Sequence, residues 1–91
     1  MQIYEWDNEK NKLNIAKHGI DFTDAKEIWQ SPVVEFASNQ NQHNEQRVLA
    51  IGLIQGYCIT VIYTWRGTAK RLISARKARK DERENYQNAI R

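Results

Sequence analysis

Two apolar, β-branched runs joined by a short turn constrain the fold of this chain more than any other feature. Residues 46–54 and 57–65 are rich in valine, isoleucine and threonine, and Gln55-Gly56 separates them. Such a connection is a strong hairpin signal, because tight hairpin turns need positive φ angles that glycine adopts easily. A further tight turn leads into residues 69–75. The sequence therefore predicts three consecutive strands that pair antiparallel.

Helix signals precede and follow these strands. Residues 2–6 alternate like a short strand, and Asp7 is a typical N-cap for a helix that runs to about Lys17. Gly19 suits the left-handed turn that ends such a helix. A second, shorter helix begins after Asp21, and Pro32 ends it. Its apolar side chains at helical spacing are Phe22, Ala25, Ile28 and Trp29.

The remaining elements complete an α+β chain. Residues 33–37 are predicted to form a strand, and residues 38–45 a polar loop that contains His43. A final helix is predicted from about residue 78 to residue 90. We expect a small antiparallel sheet with the helices packed on one face. A chain of 91 residues is too short to build two cores, so residues 1–91 are expected to form one domain.

Charge is distributed unevenly along the chain. Residues 1–64 carry five Lys/Arg and eight Asp/Glu, whereas residues 65–91 carry nine and three. This asymmetry indicates an anionic partner for the carboxyl-terminal third. A solvated basic helix without a partner is the alternative.

Several classes of protein lack support in the sequence. There is no Cys/His or carboxylate cluster at metal-ligand spacing and no glycine-rich phosphate loop, so we expect neither a metal nor a cofactor. No apolar run is long enough to span a bilayer, and the first residues do not resemble a secretory signal. Cys58, the only cysteine, lies in an apolar run and is expected to be buried. A cytoplasmic protein is the resulting expectation.

The final helix presents basic side chains beside a phenol. At 100° per residue, one stripe holds Arg79, Arg83, Tyr86 and Ile90. Either this stripe faces a ligand, or its apolar members dock on the sheet while the arginines extend around them. In the strand before it, Lys70, Leu72, Ser74 and Arg76 are expected on one face, and Arg71, Ile73 and Ala75 on the other.

Arginine and histidine are the groups here that suit phosphate chemistry. Arg76 and Arg66 end neighbouring strands, and several guanidiniums on an open face would bind a phosphodiester and stabilise its pentavalent transition state. His18 ends the first helix, where the helix dipole favours the protonated ring and hence a general acid. A simple capping role for His18 is the alternative. Glu5 and Tyr86 are further candidates for proton transfer.

The chain resembles the BrnT family of bacterial type II toxins. The resemblance covers YEWDNEKNKLNIAKHGIDFTDA (4–25), QRVLAIG (46–52) and TWRGTAKRLISARKARKDERENY (64–86). It implies a RelE-like ribonuclease that inhibits translation by cutting RNA. It also implies a cognate BrnA-like antitoxin, which binds DNA in the complex and forms a hetero-oligomer with the toxin.

The resemblance also suggests roles for individual residues. The implied catalytic residues are His18, Arg66, Arg76, Arg83 and Tyr86. Further basic residues, expected to bind RNA, are Lys17, Lys70, Arg71, Lys77 and Arg79. The chain departs from the family pattern in its amide-rich loop and at Val48. A nucleic-acid-binding module without catalysis, or a subunit that uses its basic face to bind an acidic partner, are the competing hypotheses.

Overall fold

The computed structural model describes residues 1–38 and 46–90, so most of the predicted polar loop, with His43, lies outside the described residues. The strands are β1 (Ile3–Glu5), β2 (Val34–Ala37), β3 (Arg47–Ile54), β4 (Tyr57–Arg66) and β5 (Ala69–Lys77). The helices are α1 (Asn8–His18), α2 (Phe22–Ala25), which continues as a 3₁₀ turn over Lys26–Gln30, and α3 (Lys80–Ile90). The α+β class is confirmed, and the arrangement is compatible with a RelE-like fold.

The helix boundaries follow from the capping residues. The Asp7 carboxylate accepts hydrogen bonds from the backbone N–H groups of Glu9 and Lys10 at 2.8 and 3.2 Å. Gly19 ends α1 with a φ of 72°, and Asp21 caps α2. All three positions were predicted. Within the described residues, no helix has the length and apolarity needed to cross a bilayer.

The five strands form one sheet in the order β1-β5-β4-β3-β2. Strands β3, β4 and β5 form the predicted antiparallel meander, and the turn between β3 and β4 has positive φ at both Gln55 (50°) and Gly56 (84°). This is the turn geometry that matches the twist of the flanking strands. Strand β1, however, pairs with β5 in parallel, Ile3 opposite Ala69. The sheet is therefore mixed rather than wholly antiparallel.

Helices cover both faces of the sheet. On the α2 face, Ala50 and Val61 pack against Phe22 and Ile28. On the α3 face, Ile51 packs against Ala78 and Tyr86. Because Ala50 and Ile51 are consecutive in β3, their side chains point to opposite faces, and each face needs its own apolar cover. The expected single helical layer thus becomes two, with α3 opposite α2.

A bulge in β5 changes which side chains share a face. Ser74 pairs with Ile62 and Leu72 pairs with Tyr63, so Ile73 has no partner in β4. One unpaired residue shifts the alternation by one position. Leu72 and Ala75 therefore both enter the core on the α2 face. Ser74 and Arg76 lie on the α3 face, separated from Lys70 and Leu72, with which we expected them to align.

Candidate functional site

The carboxyl end of β5 brings several of the predicted site residues together. His18 and Lys77 line the same cleft. The Arg76 guanidinium is close enough to influence the protonation of His18. Arg79 follows within three residues and lies in a groove with Arg76. The end of α1, the end of β5 and the start of α3 therefore form one basic region.

Asn14 positions α1 against β5. Its side-chain amide donates to the carbonyl of Ala75 at 3.0 Å, and its carbonyl oxygen accepts from the Ala75 backbone N–H at 3.1 Å. It also donates to the carbonyl of Ile20 at 2.8 Å. Asn14 is buried, and its side chain forms with the Ala75 backbone the two hydrogen bonds that a neighbouring strand would otherwise form. Its position places His18, one helical turn further on, near the end of β5, in the cleft that Lys77 also lines. We did not predict this residue, although a poor helix former in mid-helix was a possible signal.

Arg76 is bound by the carboxylate of Glu82 on α3. Two guanidinium nitrogens donate to the two carboxylate oxygens at 2.7 and 2.9 Å, and both side chains are largely buried. Glu82 also accepts from the Thr60 hydroxyl at 3.0 Å and from the Arg79 backbone N–H at 2.7 Å. This carboxylate therefore joins β4, β5 and the first turn of α3. Sequence analysis gave Glu82 no role beyond its place in a motif.

The charge of Glu82 is strongly stabilised. Burial opposes ionisation of this carboxyl, but hydrogen bonds from Arg76, from the Arg79 backbone and from Thr60 outweigh it and lower the pKa to about 2. The carboxylate therefore remains ionised throughout the neutral range. It holds the Arg76 fork in a single orientation at the edge of the groove.

His18 has the opposite electrostatic environment from the one expected. Burial lowers the pKa of its imidazole, and the positive charges of Lys17 and Arg76 lower it further. The prediction that the helix dipole would favour a protonated ring is therefore not supported, because burial and then the two cations all favour the neutral imidazole. An imidazole that is neutral at neutral pH can accept a proton. The environment of His18 thus suits a general base better than a general acid.

A cleft of about 350 Å³ lies between the end of α1 and the β3–β4 turn, and we call it the hairpin cleft. Its polar lining includes His18, Lys77, Asp24 and Gln55. Tyr57 forms part of its wall although the residue is 68% exposed. Sequence analysis missed Tyr57, and its only signal was an aromatic residue immediately after the hairpin turn.

A second concavity lies on the α3 face, and we call it the α3 groove. Arg76 and Arg79 border it, with Leu49 and Ile62 at its base. Arg66 lies on the same face but pairs with Ala69 at the far end of the strands. Arg66 is six residues along β4 from the partner of Arg76, or roughly 20 Å at the rise of an extended strand. Arg66 therefore contributes to the charge of the face rather than to the same groove.

The other predicted RNA-binding residues are dispersed. Arg71 donates to the carboxylate of Glu5 at 2.7 Å. Lys70 is buried on the α2 face, where its ammonium lies 4.2 Å from the centre of the Trp29 ring. Burial lowers the pKa of Lys70, an effect that Glu35 opposes. Lys70 is thus enclosed by aromatic rings, apart from the basic region.

Arg83 and Tyr86 lie on the other flank of α3. The Tyr86 phenol is 6% exposed and donates to the carbonyl of Pro32 at 3.1 Å. Arg83 donates to the carbonyl of Ala78 at 2.7 Å and lines a cavity that also contains Tyr57 and Cys58. Burial raises the pKa of the Cys58 thiol, although Arg83 opposes this. Tyr86 therefore docks α3 on the sheet, as one of the two sequence interpretations expected.

The chemical groups around the carboxyl end of β5 are several cations, one imidazole and one exposed phenol, together with the carboxylates of Asp24 and Glu82. Guanidinium and ammonium groups bind phosphate oxygens, and a neutral imidazole can remove a proton from a hydroxyl. Within residues 1–38 and 46–90, no three His, Cys, Asp or Glu side chains come together as a metal site. The fold and these groups define a small cationic protein suited to a polyanionic ligand.

Comparisons with known proteins agree with this class. A family model described as "Ribonuclease toxin, BrnT, of type II toxin-antitoxin system" matches residues 6–82. The solved structure of the Brucella abortus ribonuclease toxin BrnT is 35% identical, with a TM-score of 0.71, over 88% of this chain and 100% of that chain. No curated protein sequence matches the chain significantly. The chain belongs to the family of BrnT ribonuclease toxins of type II toxin–antitoxin systems.

Proposed function

We propose that the chain is an endoribonuclease that cuts RNA without a metal ion. The observation that carries this proposal is that His18 and the exposed cation Lys77 line the same cleft, where burial lowers the pKa of the imidazole. His18 takes the proton of a ribose 2′-hydroxyl, and the 2′-oxygen attacks the adjacent phosphorus. The bond from phosphorus to the 5′-oxygen breaks, and the leaving oxygen takes up a proton. A cyclic phosphate and a 5′-hydroxyl end result.

The surrounding cations stabilise the added charge on phosphorus. Lys77 and Arg79 have exposed side chains, Lys77 in the hairpin cleft and Arg79 in the α3 groove, so each can approach phosphate oxygens directly. Arg76 supplies charge from a fixed position, although Glu82 offsets part of it. Other exposed cations, assigned to flanking phosphates, are Lys17, Arg66 and Arg83. Because the Tyr86 phenol is buried and bonded, we assign Tyr86 a structural role.

A cleavage assay with the purified chain tests this mechanism. Labelled RNA is incubated with the protein in excess EDTA, free in solution and, separately, within a translating extract. We expect cleavage that is lost by 10²-fold or more in His18→Ala, the usual contribution of a positioned base. Lys26→Ala, an exposed lysine on the 3₁₀ turn, is the matched control. Full activity of His18→Ala, or activity that EDTA abolishes, contradicts the proposal.

A non-catalytic RNA-binding module is the second candidate. It is favoured by one observation, that the Arg76 guanidinium is already paired with Glu82. In that case the wild-type protein retains RNA on a filter but leaves it intact in both the free and the translating assay. Binding would then fall in Arg79→Ala, whose side chain lines the α3 groove.

The proposal extends to the partner of this toxin. It includes neutralisation by a BrnA-like antitoxin that binds DNA, a hetero-oligomer of the two proteins, and action in the cytoplasm. Membership of a type II toxin–antitoxin family supports these assignments. Expression of the chain alone should arrest growth, and coexpression of the neighbouring gene should restore it. Growth arrest that no neighbouring gene relieves contradicts this part of the proposal.

A further inference from the structure

We infer that the hairpin cleft binds a nucleoside of the RNA, with its base stacked on Tyr57. This inference rests on the proposed ribonuclease function and specifies a contact that the predicted catalytic residues leave open. Tyr57 was indicated neither by the family resemblance nor by the charge pattern of the sequence. Three features support the inference: the exposure of Tyr57, its position between the cations Lys77 and Arg83, and the size of the cleft.

Tyr57 is an aromatic ring held in an exposed position. The residue is 68% exposed. The preceding turn has positive φ angles at Gln55 and Gly56, and Tyr57 pairs with Ile54 at the first position of β4. Exposed aromatic rings on cationic surfaces are the usual platforms for single-stranded RNA.

Tyr57 also lies between two cationic side chains, Lys77 and Arg83. It lines the hairpin cleft with His18 and Lys77, and it lines the cavity on the α3 side with Arg83. An RNA strand that places one phosphate at Lys77 and another at Arg83 can therefore pass over Tyr57, which lines both concavities. The base between these phosphates is the one that meets the ring.

The dimensions and chemistry of the hairpin cleft fit this occupant. Its volume of about 350 Å³ lies at the lower end of the range typical of small-ligand sites. Asp24 and Gln55 on its wall offer hydrogen-bonding groups for the edge of a base, while Ile54 and Ile59 supply apolar contact. His18 in the same wall places the proposed proton acceptor beside the sugar of the bound nucleoside.

Titration with 5′-AMP, 5′-UMP and inorganic phosphate tests the site without any need for cleavage. We expect the mononucleotides to shift the backbone amide resonance of Gly19, which lines the cleft, but not that of Gly67 at the distant β4–β5 turn. Tyr57→Ala should abolish the shift, and Tyr57→Phe should preserve it. Equal shifts with inorganic phosphate alone, or no shift with either nucleotide, overturn the inference.

Kinetics on RNA provide the second readout. Tyr57→Ala should raise KM by about 10- to 100-fold, in line with the usual effect of losing one stacked base, and Tyr57→Phe should restore it. Phe36→Ala, an exposed aromatic on β2, is the control. An unchanged KM in Tyr57→Ala overturns the inference but leaves the proposed function intact. A wild-type protein that cuts no RNA overturns the proposed function, whereas the Gly19 shift still decides the inference.

Discussion

The Arg76 guanidinium and the Glu82 carboxylate meet through two hydrogen bonds of 2.7 and 2.9 Å, almost out of reach of solvent. Arg76 ends β5, and Glu82 belongs to the first turn of α3. The same carboxylate receives the Arg79 backbone N–H, one of the donors that the start of a helix leaves unpaired. One side chain therefore caps α3 and orients the guanidinium at the edge of the α3 groove. The five predictions below test this pair and the residues around it.

Glu82→Gln should lower the free energy of unfolding by about 3 kcal/mol, because it leaves the buried Arg76 charge without a counter-charge. The amide retains an acceptor for Thr60 and for the Arg79 backbone, so the loss reports mainly on charge. Urea denaturation at pH 7 measures it. Glu84→Gln, at an exposed position on the same helix, should change stability by less than about 0.5 kcal/mol. Equal losses in the two variants would contradict this account of the pair.

Acid should remove the contribution of Glu82 in a defined range of pH. Its folded-state pKa of about 2 lies below the ordinary value of 4.5, so the unfolded chain binds this proton more tightly. The contribution, on the order of 3 kcal/mol, is present above pH 4.5 and declines as the pH falls towards 2. Denaturation midpoints at several pH values measure this decline. If the stability of Glu82→Gln declined by the same amount over this pH range, groups other than Glu82 would be the cause.

Asn14→Ala should destabilise the protein by about 3 kcal/mol, because it leaves the buried N–H and carbonyl of Ala75 unpaired. RNA cleavage should fall as well, since α1 then no longer holds His18 beside β5. Thermal unfolding and the cleavage assay measure the two effects. Asn8→Ala, at the exposed start of the same helix, is the control. Loss of stability with full cleavage activity would show that Asn14 does not position His18.

The pH dependence of cleavage should report on His18. A base must be neutral, so kcat/KM should rise with pH along a limb whose midpoint lies below 6.5, the ordinary pKa of histidine. Lys17→Ala removes one of the positive charges that lower this pKa, and it should therefore move the midpoint upward. Lys12→Ala, one turn earlier and paired with Glu9, should leave it in place. A limb that falls with rising pH would instead make His18 the acid.

Tyr86→Phe separates a structural tyrosine from a catalytic one. The variant loses the hydrogen bond to the Pro32 carbonyl, at a cost of about 1 kcal/mol in unfolding free energy. The ring remains packed against Ile51 and Ala78, so cleavage should be retained. Single-turnover rates provide the measurement. A rate reduced by 10²-fold with intact folding would show that the Tyr86 phenol takes part in the chemical step.

Local signals predicted the local structure of this chain well. Asp7, Gly19 and the Gln55-Gly56 turn act through residues within a few positions, and each does what its chemistry indicated. The strands of the meander followed from the same kind of evidence. None of these signals depends on a distant part of the chain.

Features that depend on distant contacts were not predictable from local patterns. The bulge at Ile73 reverses the side chains that follow it, and no local pattern indicates an unpaired residue. Lys70 was counted among the RNA-binding residues because of its charge, but three aromatic rings enclose its ammonium. Glu82 and Asn14 acquire their roles only from partners supplied by other elements.

The parallel pairing of β1 with β5 has a consequence for the order of assembly. Ile3 is paired with Ala69, so β1 needs a neighbour that is synthesised more than sixty residues later. The meander from β3 to β5 closes through short turns and can form on its own timescale. During synthesis β1 must therefore remain unpaired until β5 has been translated, and only then can the five-stranded sheet be completed.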